Sequence, residues 1–288
     1  MLPVNLIYRS SRHRLYLATG THELTGDQAA RLYELQHSQP SYDEYCSKLA
    51  AIILKPSIFN LRQLAWILAI NNEAFEQLTP ALEPFLPISA GSNNGTQDLQ
   101  LVFSNRQEKQ VLPRFWYKGW FYEGPSTRLS NITLEEFAYA DYYFLQYHKN
   151  PSRDNMLLLL ACLYRPWRWD NLRQYGDARQ QFNSHTIESR AAHFESTLPR
   201  YGYYSLEFFR SGRELITERF KDLFSQENKG KASSSGNGWV NLMYSMAGPQ
   251  FGTVQQTGQT RLGDVLLYCR QLKQENERIE AQRNKNGL

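Results

Sequence analysis

The chain has 288 residues, of which 41% are hydrophobic and 21% are charged, and its formal net charge is +4. This composition excludes a disordered chain, because it supplies enough apolar surface to build a core. A small positive charge is also far from the concentrated basic face of typical nucleic-acid-binding proteins, so a nucleic-acid partner is not favoured.

The N-terminal region, residues 1–90, is expected to be helical after two short strands. Hydroxyl residues followed by acidic residues, as in Ser41 to Glu44, form capping boxes that predict where helices begin. A stretch rich in proline and glycine at 80–95 then breaks the pattern. The expected elements are strands at 2–8 and 13–18, followed by helices at 25–37, 41–54, 61–70 and 71–78.

A change of period near residues 99–122 indicates a β element. Apolar and polar residues alternate at 99–103, and the segment 111–122 is rich in aromatic residues. Alternation with aromatic enrichment is typical of a hairpin or small sheet. Pro113 and Gly119 place this element at an edge or a bulge.

From residue 131 onwards the pattern is helical again. Segment 156–163 is apolar on all sides, which predicts the buried centre of the domain. The core helices are expected at 133–148, 154–164, 186–198 and 204–224. The sequence therefore predicts a mainly α-helical protein, a helical bundle with a small aromatic-rich β-hairpin or sheet element.

Composition also divides the chain. Residues 96–225 are expected to form the β element and the central helical core, and the polar stretch 226–238 a flexible linker. Residues 239–288 would then form a C-terminal helical docking module. The last four turns of its terminal helix carry almost no apolar residues, so they either fray or are held by a partner.

We expect the apolar side chains of this module to contact another protein. They are Trp239, Leu242, Met243, Phe251, Leu262, Val265, Leu266 and Tyr268. No catalytic, cofactor-binding or metal-binding residue is assigned by any motif in the sequence.

Two other classes of function stay open. Asp141 and His148 lie two helical turns apart on one face, where another helix could complete a metal-dependent hydrolase site. In 165–173, arginines alternate with tryptophans, a pattern that can stack bases and bind phosphate in a nucleic-acid-binding accessory protein. The same arginines could instead pair with Asp170 and Asp177.

Three scattered cysteines without a CxxC pair indicate reduced thiols, as in cytoplasmic proteins. A membrane span would need about 18 consecutive apolar residues. The sequence has no such stretch, so no membrane partner is expected.

Five segments between residues 115 and 275 carry a resemblance: 131–144, 161–166, 206–212, 239–254 and 257–266. Taken together, they resemble a protein family encoded among tail genes in phage-like and prophage-like regions of Bacteroidetes genomes. The resemblance implies no catalytic residues. It implies a structural or chaperone-like role in assembling a phage tail or a contractile particle. Other tail or particle proteins, or further copies of the chain, would be the partners, in the cytoplasm or in the particle.

Overall fold

The structure is a computed structural model that describes residues 2–8, 11–17, 23–38, 42–53, 85, 107–197, 199–224 and 238–285. The helices expected at 61–78, the strand at 99–103 and the linker up to residue 237 lie outside the described residues. Contacts divide the chain into two compact units. The first unit comprises Met1–Leu112 and Leu198–Glu207, and the second comprises Pro113–Thr197 and Phe208–Leu288.

The first unit begins with an antiparallel strand pair, β1 (Leu2–Tyr8) and β2 (Ser11–Leu17), followed by helices α1 (Gly26–His37) and α2 (Tyr42–Ile53). Thr25 caps α1 with a capping box, as the hydroxyl before the helix predicts. Helices α1 and α2 pack on each other, and both bury apolar side chains.

The second unit contains a three-stranded antiparallel sheet in the order β3–β4–β5. Its strands are β3 (Arg114–Tyr117), β4 (Trp120–Glu123) and β5 (Arg165–Pro166). Lys118 and Gly119, with φ of 43° and 86°, join β3 to β4. Positive φ at both positions defines a two-residue turn whose twist matches the strands, so Gly119 serves the turn and not a bulge.

The other helices form most of the second unit, and the prediction of a mainly helical protein with a small β element is confirmed. Helix α7 is shared, because its first residues belong to the first unit. The helices are α3 (Leu134–Lys149), α4 (Arg153–Leu163), α5 (Trp169–Tyr175), α6 (Ile187–His193), α7 (Pro199–Arg219), α8 (Lys221–Phe224), α9 (Gly238–Met246), α10 (Val254–Gln259) and α11 (Leu262–Lys285).

Side-chain caps explain where the two central helices begin. The hydroxyl of Thr133 accepts from the backbone N–H of Glu136 at the start of α3, and Ser152 caps α4 in the same way. Helix α3 packs against α4, α9, α10 and α11, and α4 packs also against α6. Leu159 and Leu160 of α4 are fully buried, which confirms the predicted apolar centre.

Some boundaries differ from those expected. The helix predicted at 186–198 ends at His193, and the next helix begins at Pro199 and not at Tyr204. Proline fits the first turn of a helix, where its missing N–H has no partner to lose. Helix α5 lies in a segment for which no helix was predicted, and α10 is a further short helix within the C-terminal module.

Candidate functional site

The C-terminal segment, residues 238–285, folds onto its own chain. Among the residues expected to contact a partner, Met243, Leu262, Val265 and Leu266 are at most 7% exposed. These four side chains are core residues of the second unit. In this conformation they present no surface to another molecule, because the chain itself already covers them.

The remaining four expected contact residues, Trp239, Leu242, Phe251 and Tyr268, are half-buried. The Phe251 and Tyr268 rings pack edge to face, with centroids 5.2 Å apart. The Trp239 ring packs edge to face on Phe137 of α3, at 4.8 Å. The contact of Trp239 with Phe137 also joins the segment to the core of the second unit, whereas the contact of Phe251 with Tyr268 lies within the segment.

Backbone hydrogen bonds fix the same segment to the start of α3. The N–H of Leu134 donates to the carbonyl of Thr260 at 2.9 Å, and the N–H of Leu262 donates to the carbonyl of Ile132 at 3.0 Å. A Cβ atom on Gly258 would lie 3.2 Å from Cβ of Glu135, so glycine permits the close approach of α10.

The C-terminal part of α11 is exposed to solvent. Residues 274–284 are exposed on every side of the helix, as the lack of apolar residues predicts. Arg270 holds the helix to α8 by donating to both carboxylate oxygens of Asp222. Exposed apolar side chains on the C-terminal segment are Tyr244, Leu267, Leu272 and Ile279.

Several exposed aromatic side chains lie on the β3–β4 hairpin, outside the C-terminal segment for which partner contacts were predicted. Trp116, Trp120 and Phe121 are 58%, 52% and 49% exposed. Directly opposed residues of an antiparallel pair share a face. Trp116 opposes Phe121, and the two rings meet edge to face with centroids 4.6 Å apart.

The exposed aromatic residues continue beyond the hairpin. The N–H of Trp167 donates to the carbonyl of Phe121 at 2.9 Å, which continues the register from β4. The ring of Trp167 lies 6.1 Å from that of Trp169, which is 54% exposed at the start of α5. We call Trp116, Phe121, Trp167 and Trp169 the aromatic face. Contiguous exposed apolar surface of this kind marks interaction sites.

The opposite face of the sheet is anchored in the core. Phe115 and Tyr122 are each 5% exposed, and both rings contact Phe194, with centroids 5.7 and 4.7 Å away. The hairpin is therefore held by packing, and the aromatic face is presented on a rigid element. The sequence signal for this face was the aromatic enrichment of residues 111–122.

A buried ion cluster ties the end of the sheet to α3. Glu136 is fully buried and accepts from Arg165 at 2.8 Å and from Arg179 at 2.5 Å. Arg179, whose side chain is also fully buried, donates as well to Asp177 at 2.9 Å. Two carboxylates thus balance two guanidinium groups, as buried charges require.

The electrostatics of this cluster follow from burial. Burial, and after it the charge of Arg179, lowers the pKa of Arg165 to about 10. For Asp177, burial by itself would raise the pKa, but hydrogen bonds and charge from Arg179 outweigh it and hold the pKa below its usual range. Burial raises the pKa of the neighbouring Glu123 carboxyl; Arg114 opposes this rise and Asp177 adds to it.

The arginines also satisfy backbone groups at the C-terminal end of the apolar helix α4. Arg190 donates to the carbonyl of Ala161, and Arg179 lies 3.5 Å from the carbonyl of Leu163. Positive charge at this end of a helix is favourable because it complements the helix dipole. The arrangement is that of a structural cluster holding the core together.

The position of Arg165 bears on the nucleic-acid alternative. Arg165 is 3% exposed and paired with Glu136, so it presents no charge to a phosphate. Arg168 is exposed, whereas the side chain of Arg173 lies outside the described residues. The structure therefore separates the arginines that the sequence pattern grouped together.

The residues of the hydrolase alternative also have other partners. Asp141 accepts from Arg213 at one carboxylate oxygen and from the Trp239 indole at the other. The His148 ring packs edge to face on Phe144, with centroids 4.4 Å apart. Burial raises the pKa of the Cys162 thiol, which disfavours the thiolate that nucleophilic catalysis needs. Within the described ranges, no group of three or more His, Cys, Asp or Glu residues is placed to hold a metal ion.

No protein-family model matches the chain, and no significant similarity links it to a curated protein or to a solved structure. In the part of the chain that the structure describes, every helix is too short or too polar to cross a membrane.

Proposed function

We propose that this protein is a non-enzymatic structural or chaperone-like protein of a phage tail or a tail-like contractile particle. It would act in the cytoplasm during assembly or within the particle, by docking onto other particle proteins. The setting is supported by the resemblance of residues 115–275 to tail-region proteins. The docking role is supported by the aromatic face, which is the observation that carries the proposal.

The aromatic face has the chemistry of a protein-binding surface. Tryptophan is enriched among residues that dominate binding energy, because one rigid side chain supplies a large apolar area. Burying a side chain of this size contributes ~1.5–3 kcal/mol. Trp116, Phe121 and Trp169 together could therefore support binding after association costs are met. Packing of Phe115 and Tyr122 below the sheet orders this surface before a partner arrives.

The exposed part of α11 is the second surface in this proposal. Residues 274–284 extend as an exposed helix with charges of both signs and one large apolar side chain, Ile279. Among the described residues nothing packs on this part of the helix, so it is suited to extending a contact that the aromatic face begins. Because Leu262, Val265 and Leu266 are buried, only the part beyond Lys273 is removable without uncovering the core.

The test is co-expression of the full chain with the proteins encoded beside it, followed by sedimentation of assembled particles. A variant with Trp116→Ser, Phe121→Ser and Trp169→Ser should fold as the wild type does but sediment with particle proteins at least about tenfold less. Tyr142→Ser is the matched control, since Tyr142 is a 45% exposed aromatic residue on α3.

A chain ending at Lys273 tests the second surface in the same assay. It should retain the wild-type unfolding midpoint and lose part of the association. If the triple variant assembles as efficiently as the wild type, the aromatic face is not the docking surface and the proposal is wrong.

A further inference from the structure

Among the described residues, the outer edge of β3 pairs with no other strand. In a two-residue hairpin the residues flanking the turn, Tyr117 and Trp120, exchange backbone hydrogen bonds, and the pattern then alternates along the strands. Two observations confirm this alternation. The N–H of Gly124 donates to the carbonyl of Pro113 at 2.9 Å, and the carbonyl of Phe121 is used by Trp167 on the opposite side of β4.

It follows that the backbone groups of Arg114 and Trp116 point away from β4. Strand order β3–β4–β5 leaves β3 at the edge of the sheet. Within the described part of the chain, the N–H and C=O groups of Arg114 and Trp116 take part in no hydrogen bond. Pro113 lacks an N–H group, but its backbone points toward β4, so the missing donor does not block pairing at the outer edge. An unpaired edge of this kind is a template for another strand.

The two outward-facing residues are complementary to each other. Consider two copies of β3 paired antiparallel about a twofold axis at Phe115. Arg114 of each copy then lies opposite Trp116 of the other, in a backbone hydrogen-bonded pair. Four backbone hydrogen bonds form, two for each such pair. Any isologous contact must match itself in this way.

The side chains fit the same register. Arg114 and Trp116 lie two residues apart on one face of the strand, and they are 55% and 58% exposed. Directly opposed side chains across an antiparallel pair are in contact. The guanidinium of Arg114 would therefore meet the indole of Trp116 from the second copy, which is a favourable cation–π arrangement. No like charges oppose each other in this register.

We infer that the chain forms a twofold homodimer through antiparallel pairing of β3 with β3 of a second copy, centred on Phe115. The two sheets join into a continuous six-stranded sheet. The aromatic faces of both copies then lie on one side of that sheet. This inference goes beyond docking onto other particle proteins, since it concerns only copies of this chain.

The register can be tested at a single position with opposite charges. Trp116→Lys places an ammonium opposite Arg114 of the second copy, whereas Trp116→Glu places a carboxylate there. Both variants lose the same indole from an exposed site, so they should fold equally well. The measurement is sedimentation velocity of the purified full-length chain, in a concentration series up to about 100 µM, the range that detects micromolar dimers.

We expect a concentration-dependent dimer for the wild type. Trp116→Glu should retain it to within a few-fold in Kd, because two ion pairs replace the cation–π contacts. Trp116→Lys should weaken it at least tenfold, and high salt should narrow the difference between the two variants. Trp120→Lys is the control, because Trp120 is similarly exposed but lies on the other face of the sheet, opposite Tyr117. Its dimer Kd should equal that of the wild type.

A wild-type chain that remains monomeric throughout the series overturns the inference. So does a dimer that tolerates Trp116→Lys, and so does an equal loss in the lysine and glutamate variants, because the arginine would then not lie opposite position 116. All these measurements use the purified chain alone. Failure here therefore leaves the docking proposal standing, and failure of particle association leaves the dimer standing.

Discussion

The indole Nε1–H of Trp239 donates to Oδ2 of Asp141 at 3.0 Å, although 98 residues separate them in the chain. The other oxygen of the same carboxylate accepts from Nε of Arg213 at 2.5 Å. Asp141 is 3% exposed, so its charge needs both donors. One buried carboxylate thereby joins α3, α7 and α9, and it attaches the C-terminal segment to the core.

Replacing Trp239 by phenylalanine tests this attachment. The aromatic packing on Phe137 is largely kept, but the hydrogen bond to a charged acceptor is lost, which should lower the free energy of unfolding by ~1.5–3 kcal/mol. Urea denaturation measures the change. Tyr244→Phe is the control, because Tyr244 is 65% exposed on the same helix and should shift stability by less than ~0.5 kcal/mol. Equal stability of the two variants would contradict the role of the hydrogen bond.

Neutralising Glu136 should be more damaging. Glu136→Gln leaves Arg165 and Arg179 buried with one carboxylate fewer, and breaking a buried ion pair in this way costs ~3–5 kcal/mol. The midpoint of thermal or urea unfolding gives the measurement. Glu188→Gln, at an exposed position of α6, should leave stability within ~0.5 kcal/mol of the wild type.

Arg179→Lys extends the same test. A lysine cannot bridge Glu136 and Asp177 with a planar set of donors, so charge conservation should not restore stability. Wild-type stability in this variant would show that the guanidinium geometry is unimportant.

Acid stability should depend on Asp177. Its pKa in the folded chain is depressed, since Arg179 outweighs the effect of burial. Such a carboxyl contributes stability above its unfolded pKa of about 3.9, and this stability disappears as the pH falls through the lower folded value. We expect Asp177→Asn to be less stable than the wild type at pH 7 and to lose less stability on acidification.

Urea unfolding at neutral pH and at a series of values below about pH 4 measures this difference. Asp170→Asn, an exposed acid in the neighbouring helix α5, is the control and should follow the wild-type profile. Parallel pH profiles for Asp177→Asn and the wild type would disprove the assignment.

Two glycines in helices should respond to alanine in opposite directions. A Cβ atom at Gly212 would lie 2.5 Å from Cγ and Cδ1 of buried Leu129, whereas one at Gly263 would meet no atom within 4 Å. Overpacking in Gly212→Ala should cost ~1–3 kcal/mol. Gly263→Ala should gain ~0.5–1 kcal/mol, because alanine loses less backbone entropy in a helix.

The pair Gly212 and Leu129 can be examined further by a double-mutant cycle. The cost of Gly212→Ala should fall when Leu129 is replaced by alanine, since the clash is then relieved. Additive effects, measured by urea unfolding, would rule out direct contact as the cause.

Local sequence determined where most of the described elements begin and what type they are. The hydroxyls of Thr25, Thr133 and Ser152 cap helices at the predicted places, because a cap acts on N–H groups only two or three residues away. The aromatic enrichment of residues 111–122 likewise predicted a β element. The apolar run 156–163 predicted the buried centre. All these signals act over a few residues.

Tertiary structure alone decided which residues lie at the surface and which lie in the core. The apolar stripe beginning at Leu262 looks the same in the sequence whether α3 or another molecule covers it. Arg165 looks available for a phosphate until Glu136, 29 residues away, is seen to pair with it. Periodicity reports only that a side chain will be buried. Which surface buries it depends on contacts between distant segments, and these form only when the whole chain folds.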